Sequence, residues 1–205
     1  MFNIIRALSK MLDENTISSQ NKETLDNWYY TNIFEKGYSD YLEDTVWCND
    51  RSIYSLGPFD PNGGSTYTTS FGSPSELIYN SAARLITYTP SLTCSRVVDR
   101  FTVDVKNGNG ALTYPIGLLT ADEIVLAGAS TAENSSYYLR SVSSGRVWTG
   151  TPVMAGALAF VDDVGKLDYI INGTAPSPCP SISLKTGFTL TGDGDGTVAN
   201  PYKIG

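Results

Sequence analysis

One short stretch constrains this chain more than any other. Residues 112–138 read LTYPIGLLTADEIVLAGASTAENSSYY. Within it, Thr120-Ala121-Asp122-Glu123 is a capping box, in which the Thr120 hydroxyl bonds the Glu123 amide while the Glu123 carboxylate reaches back. Ile124, Val125 and Leu126 supply the apolar face of the helix that follows, and Gly128 supplies its stop. Pro115 and Gly117 set how a preceding strand enters, and Tyr137 and Tyr138 begin an aromatic strand after it. A chain built around a short helix between strands has to be mixed α and β.

The rest of the sequence is organised around that unit. Phe2, Ile4, Ile5, Leu8, Met11 and Leu12 recur near helical spacing, and the run is too short and too interrupted for a membrane span. It also lacks the long apolar region and cleavage site of a signal peptide. Residues 1–20 therefore read as an amphipathic helix and assembly segment, and 21–205 as the domain. Lys22–Phe34 reads as a second helix with Leu25, Trp28, Tyr29 and Ile33 on one face, and Tyr38–Val46 as a short third. Residues 55–75 form a Gly/Pro/Ser/Thr-rich loop of a length that is uncommon without a function or a tether.

Ser75–Tyr88 fits either a helix capped by Ser75 or a strand through residues 85–88. Asp99–Val105 alternates as a strand does, and Asn107-Gly108-Asn109-Gly110 is a turn. Strands are expected at 136–142, 146–152, 157–161, 166–171 and 181–185. Asp162-Asp163-Val164-Gly165 closes a hairpin, and a turn-rich excursion covers 172–180. The fold class is α+β, with helices in the N-terminal third and then a twisted, mainly antiparallel sheet with long loops.

Charge and residue content exclude several chemistries. A formal net charge of −7 with no basic run argues against nucleic acid as a partner, because that affinity comes from clustered Lys and Arg. The chain has no histidine, which removes Ser-His and Cys-His nucleophiles and His-containing zinc sites. No cofactor and no metal are expected. Asp193-Gly194-Asp195-Gly196-Thr197 opens like a calcium loop but lacks the later bidentate Glu, so a Gly-rich turn with solvated carboxylates is expected instead. The acidic pairs Glu43-Asp44, Asp122-Glu123 and Asp162-Asp163 are assigned surface or capping roles rather than glycoside hydrolysis. The three cysteines, Cys48, Cys94 and Cys179, permit one disulfide and a thiol, or three thiols.

Four blocks together resemble a large family of surface and pilin-like proteins of gut Firmicutes. They are DNWY with YLEDTVWCNDRS, Cys94 with DRFTV, ALTYPIGLLTADEIVLAG with NSSYYL, and SISLK with GDGT and NPY. That family is similar in turn to the C-type-lectin-type fold of formylglycine-generating-enzyme-like domains and diversity-generating-retroelement variable proteins. The resemblance covers roughly residues 25–205. It implies a C-type-lectin-like fold and a non-enzymatic binding or display domain on a bacterial surface, pilus or phage particle, recognising protein or glycan. The alternatives are a structural virion or pilus subunit that is a homo-oligomer through the N-terminal helix, or an enzyme on a formylglycine-generating-like scaffold.

Cys48 and Cys94 each fall in a family block, so the resemblance offers them as a disulfide candidate, with two buried free thiols as the equal alternative. Closing that loop is worth about 4 kcal/mol on the chain-entropy model. The sequence departs from the family at Trp148-Thr149-Gly150-Thr151-Pro152 and at Ser177-Pro178-Cys179-Pro180-Ser181, where Cys179 replaces an Arg. Cys179 alone does not reproduce a redox cysteine pair, and an inert thiol is expected there. Lectin-type folds carry ligand contacts on C-terminal strands and loops, which nominates Tyr138, Trp148, Gly150, Met154, Asp168, Tyr169 and Asn172. The competing reading puts Trp148 and one of Tyr137 and Tyr138 in the core, because neighbours on a strand face opposite ways; for Trp148 the core is the favoured reading, and for Tyr169 and Asn172, next to a loop, exposure is.

Overall fold

The computed structural model describes residues 20–52, 54, 79–134, 137–138, 145–154, 157–170, 177–192, 194–195, 197 and 199–204. The N-terminal segment 1–19, the 55–75 loop, Ser75, Asn172 and Asp193 lie outside them.

Helix α1 (Gln20–Tyr29) runs on into a π-helical turn, Tyr30–Phe34. Leu25, Tyr29 and Ile33, spaced by four, bury one stripe, whereas Trp28 falls at the stripe's edge and is exposed. The expected third helix is a single 3-10 turn, Ser39–Tyr41. There the chain leaves helical geometry at Leu42, because Glu43 N donates to Ser183 O at 2.9 Å and Lys185 N to Tyr41 O at 2.9 Å.

Strand β1 (Trp47–Cys48) pairs antiparallel with β2 (Arg100–Phe101). The alternating run 99–105 therefore gives only two strand residues. Asp44 accepts from the Val103 and Asp104 amides at 2.8 Å each, and the Thr102 hydroxyl donates to Asp104 O at 2.8 Å. Side chains thereby take the backbone groups that a ladder would need. The turn falls earlier than the expected 107–110, with Asn107 N donating to Asp104 O at 3.1 Å, and Asn109 N then donates back to Arg100 O at 2.8 Å.

The ambiguous segment is helical: α2 (Asn80–Thr87) ends at Tyr88 in the left-handed region, φ 51°. Helix α3 (Ala121–Leu126) carries both bonds of the capping box, Glu123 N to Thr120 Oγ1 at 3.1 Å and Thr120 N to Glu123 Oε2 at 2.7 Å. Of its apolar triplet only Ile124 is fully buried. Leu126 is exposed, since consecutive helical residues fan round the axis. The strand expected before α3 is one bridge, Gly117 to Ser181, and Tyr137 and Tyr138 after it are not in a strand. Residues 181–185 contribute only bridges at Ser181 and Leu184.

The main sheet has the order β5-β4-β3-β6, from β3 (Val147–Met154), β4 (Ala157–Val161), β5 (Leu167–Ile170) and β6 (Ser177–Pro178). Its pairs are antiparallel except β3–β6, which is parallel. The hairpin between β4 and β5 is closed by Asp162 Oδ1, which accepts from the Val164 and Lys166 amides. A small ladder joins β7 (Leu190–Thr191) to β8 (Lys203–Ile204). One core cluster packs α2 and α3 on the sheet through Ala82, Leu85, Ile124, Val153 and Val161, and a second holds α1 through Leu25, Tyr29, Ile33, Leu42 and Ile116. Among the described residues no helix is long and apolar enough to cross a membrane.

Cys48 and Cys94 are disulfide-bonded, and Cys179 is free. Two ion-pair clusters brace the same region. Asp99, fully buried, takes Arg51 Nε at 2.8 Å and NH2 at 2.7 Å. Arg84 pairs with Asp50 and Asp122. Asp122 is thus a buried ion-pair partner, not a surface or capping carboxylate as its place in the capping box suggested.

Candidate functional site

Strand β3 carries an irregularity opposite Ala159. Trp148 pairs with Phe160 and Pro152 with Leu158, so Thr149, Gly150 and Thr151 face the single residue Ala159. Proline has no amide to give the ladder, and the bulge residues send their own bonds elsewhere. Gly150 N donates to Leu119 O at 2.9 Å, Thr149 Oγ1 to Ala159 O at 2.9 Å, and Thr151 Oγ1 accepts from Ala121 N at the start of α3. The bulge thereby locks the sheet to the capping-box helix.

Beside it lies an apolar cleft of about 130 Å³. Its walls are Leu25 of α1, Trp47 and Phe101 of the β1–β2 ladder, Leu118, Gly150 and Leu158. Glycine is needed at Gly117 and makes close packing easy at Gly150. A Cβ on Gly117 would sit 2.4 Å from Trp47 Cδ2, and one on Gly150 would sit 3.2 Å from Leu118 O. The Trp47 ring lies directly on the Gly117 backbone. Two polar atoms in the lining residues are buried without a hydrogen-bond partner among the described residues, Trp47 Nε1 and Asn49 Oδ1. One is a donor and the other an acceptor. An apolar concavity with a few convergent polar groups is the form that ligand sites take, and an unspent buried donor or acceptor costs roughly 1–3 kcal/mol until something meets it.

The nominated residues are not gathered around this cleft. Gly150 lines it. Trp148 is in the core, edge-on to Phe160 with ring centroids 6.4 Å apart, so it is corrected from ligand contact to packing residue. Tyr137 is also core, its hydroxyl donating to Ile124 O, while Tyr138 is exposed. Burial raises the pKa of both phenols. Asp168 pairs with Lys166 at 2.9 Å, a bond that raises the lysine pKa. Met154 and Tyr169 are placed by their backbones as partners of Ala157 and Ala159. Asn172 falls outside the described residues. Trp47 and Asn49 were missed as site residues. Their only signal in the sequence was the abrupt change of character at Trp47-Cys48-Asn49-Asp50.

The charged groups are largely committed. Arg84 stays cationic because Asp122, then Asp50, raise its already high pKa. Burial pushes the Cys179 thiol up. Asp195 is exposed and its carboxyl is held low by the Thr197 hydroxyl and amide, a solvated turn as expected. Among the described residues no cluster of His, Cys, Asp and Glu has the arrangement of a metal site. Comparison with protein-family models, with curated proteins and with solved structures gives no match for this chain.

Proposed function

We propose that this chain is a non-enzymatic binding or display domain of C-type-lectin type, borne on a bacterial surface, pilus or phage particle, and that it grips a protein or glycan ligand through the apolar cleft. The observation that carries this is an apolar cavity whose lining includes Trp47 and Asn49, where the buried Trp47 Nε1 and Asn49 Oδ1 have no hydrogen-bond partner among the described residues. About 130 Å³ suits one ring or branched side chain entering as a knob. The Cys48–Cys94 disulfide supports an oxidising compartment. The binding reading is further supported by carboxylates that are occupied with arginines, turn amides and a helix cap, and by a thiol that burial disfavours as a nucleophile.

The test is to pan a random peptide library on the full, disulfide-bonded chain and then titrate the enriched peptides. Leu112→Trp plugs the cleft from a half-buried position. Enriched peptides are expected to lose at least tenfold in affinity on that variant with its melting temperature unchanged. Peptides that bind both forms equally would sink the assignment. A second reading, a structural subunit, is favoured by exposed rings at Tyr30, Phe34, Tyr38, Tyr41 and Phe188, more aromatic surface than a solitary domain usually leaves bare. It predicts an oligomer in sedimentation velocity that Phe34→Asp dissociates.

A further inference from the structure

The fold has a second concavity, on the other side of Trp47 and Cys48, and it has opposite chemistry. Arg84, in the last turn of α2, gives Nε to Asp122 Oδ1 at 2.8 Å, NH2 to Asp122 Oδ2 at 2.9 Å and NH1 to Asp50 Oδ2 at 2.8 Å. A guanidinium has five N–H donors. Three are thus directed at carboxylates, and the other two have no acceptor among the described residues. Two cavities, of about 200 and 450 Å³, both border Arg84 and share Asp50, Ser91 and Thr93 with it. The larger falls within the usual span of small-molecule sites, roughly 300–1,000 Å³.

The wall chemistry narrows what can fill this space. Asp50 Oδ1 already accepts from the Ser52 amide and hydroxyl, and Asp122 Oδ1 also accepts from Ser91 N. Each carboxylate therefore accepts three hydrogen bonds and keeps one lone pair on Oδ2, while two donors remain on Arg84. A ligand that uses all of these groups has to bring acceptors as well as donors, as hydroxyls do. An anion is disfavoured, because one guanidinium between two carboxylates leaves a local charge of −1 in a chain of −7, and a cation would have to face the positive N–H groups of Arg84, which leaves an uncharged ligand as the best fit. The lining adds hydroxyls at Thr93 and Ser95, each able to donate or accept, and the ring of Tyr54 as an apolar face. The Cys48–Cys94 disulfide forms part of the smaller cavity, so little ordering remains to be done on binding.

We propose that this Arg84 cleft is a binding site for an uncharged saccharide, whose ring hydroxyls accept from the two remaining Arg84 N–H groups and exchange hydrogen bonds with Thr93 and Ser95. The site is separate from the apolar cleft and does not depend on how that cleft is used.

The test uses the full, disulfide-bonded chain with methyl glycosides of the common neutral hexoses and N-acetylhexosamines, and with sialyl and sulfated sugars as the anionic arm. Saturation-transfer NMR followed by titration gives the affinities. At least one neutral glycoside is expected to bind at millimolar concentration or better, with the anionic sugars bound at least tenfold more weakly. Thr93→Trp, at an exposed position on the rim, should abolish binding with an unchanged melting temperature, and Leu112→Trp in the apolar cleft should leave it intact. Absence of binding by every neutral glycoside, a preference for anionic sugars, or binding that survives Thr93→Trp would each overturn the proposal. Loss through Leu112→Trp alone would move the sugar to the other cleft and overturn it equally.

Discussion

Asp99→Asn is a substitution of one atom in the densest charged contact of the fold. The Asp99 carboxylate is fully buried, and its oxygens have different tasks. Oδ1 takes both Arg51 Nε at 2.8 Å and NH2 at 2.7 Å, while Oδ2 takes the Arg51 amide at 3.1 Å and lies 3.6 Å from Arg96 Nε. An asparagine keeps one acceptor. If its oxygen stays toward the Arg51 fork, its NH2 group meets the Arg51 amide donor. Flipped, it meets the fork. In either pose the Arg51 side chain, 6% exposed, loses its ion pair with Asp99. Breaking one side of a buried pair costs about 3–5 kcal/mol, which for a chain near 200 residues lowers the melting temperature by about 10 °C. Urea unfolding followed by tryptophan fluorescence should show the midpoint falling with the slope unchanged. Arg51→Met with Asp99→Leu removes both charges and should recover at least about 2 kcal/mol relative to the single variant. A loss below about 1 kcal/mol for Asp99→Asn, or a double variant no better than the single, would refute the claim that this pair holds the 48–100 region together.

Reduction of Cys48–Cys94 releases a loop of 46 residues and should remove up to about 4 kcal/mol, read as a shift of the urea midpoint with and without reductant; an unmoved midpoint would contradict the bond. Gly117→Ala forces Trp47 off the backbone it lies on and should cost about 1–3 kcal/mol and change the tryptophan emission maximum; an unaltered spectrum would count against that contact. Cys179 and Tyr137 hold their protons longer folded than unfolded, where they ionise near 9.0 and 10.0. The unfolded chain then binds fewer protons, so stability present below pH 9 declines as pH rises past it. Urea midpoints at pH 8 and pH 10.5 check this, and a midpoint that rises would reverse the sign. By the same cause, iodoacetamide at pH 8 should modify Cys179 more slowly in the native chain than in urea.

Local signals read well from the sequence, and distant ones did not. The Thr120–Glu123 box and the 162–165 hairpin each depend on groups within four residues of one another, and both form as expected. The 99–105 run misled because alternation reports only which side chains are apolar. It does not report that Asp44, about sixty residues away, takes the amides of Val103 and Asp104. The same limit hid the ion pairs: Arg51 and Asp99 are 48 positions apart, and Arg84 and Asp122 are 38. Trp148 illustrates a third case. Its burial was one of two readings that strand alternation left open, and only the position of Phe160 on the neighbouring strand decides it. Of the cleft lining, Gly150 was nominated from the sequence, where it departs from the motif of the family that the chain resembles. Trp47 and Asn49 became site residues only through a ladder partner, Phe101, and a bulge, both supplied by chain far away in sequence.

Trp47 and Cys48 border both concavities. The two chambers therefore share a partition two residues thick, pinned by a covalent bond at Cys48 and backed by the bare α-carbon of Gly117 behind Trp47. Space gained on one side of such a partition is taken from the other. A change at the shared indole or at Cys48 reaches both chambers at once, whereas a change at an outer lining residue such as Leu112 or Thr93 reaches only one. Neither chamber can be reshaped through its common wall without altering the other, and adaptation of one alone is confined to its outer lining.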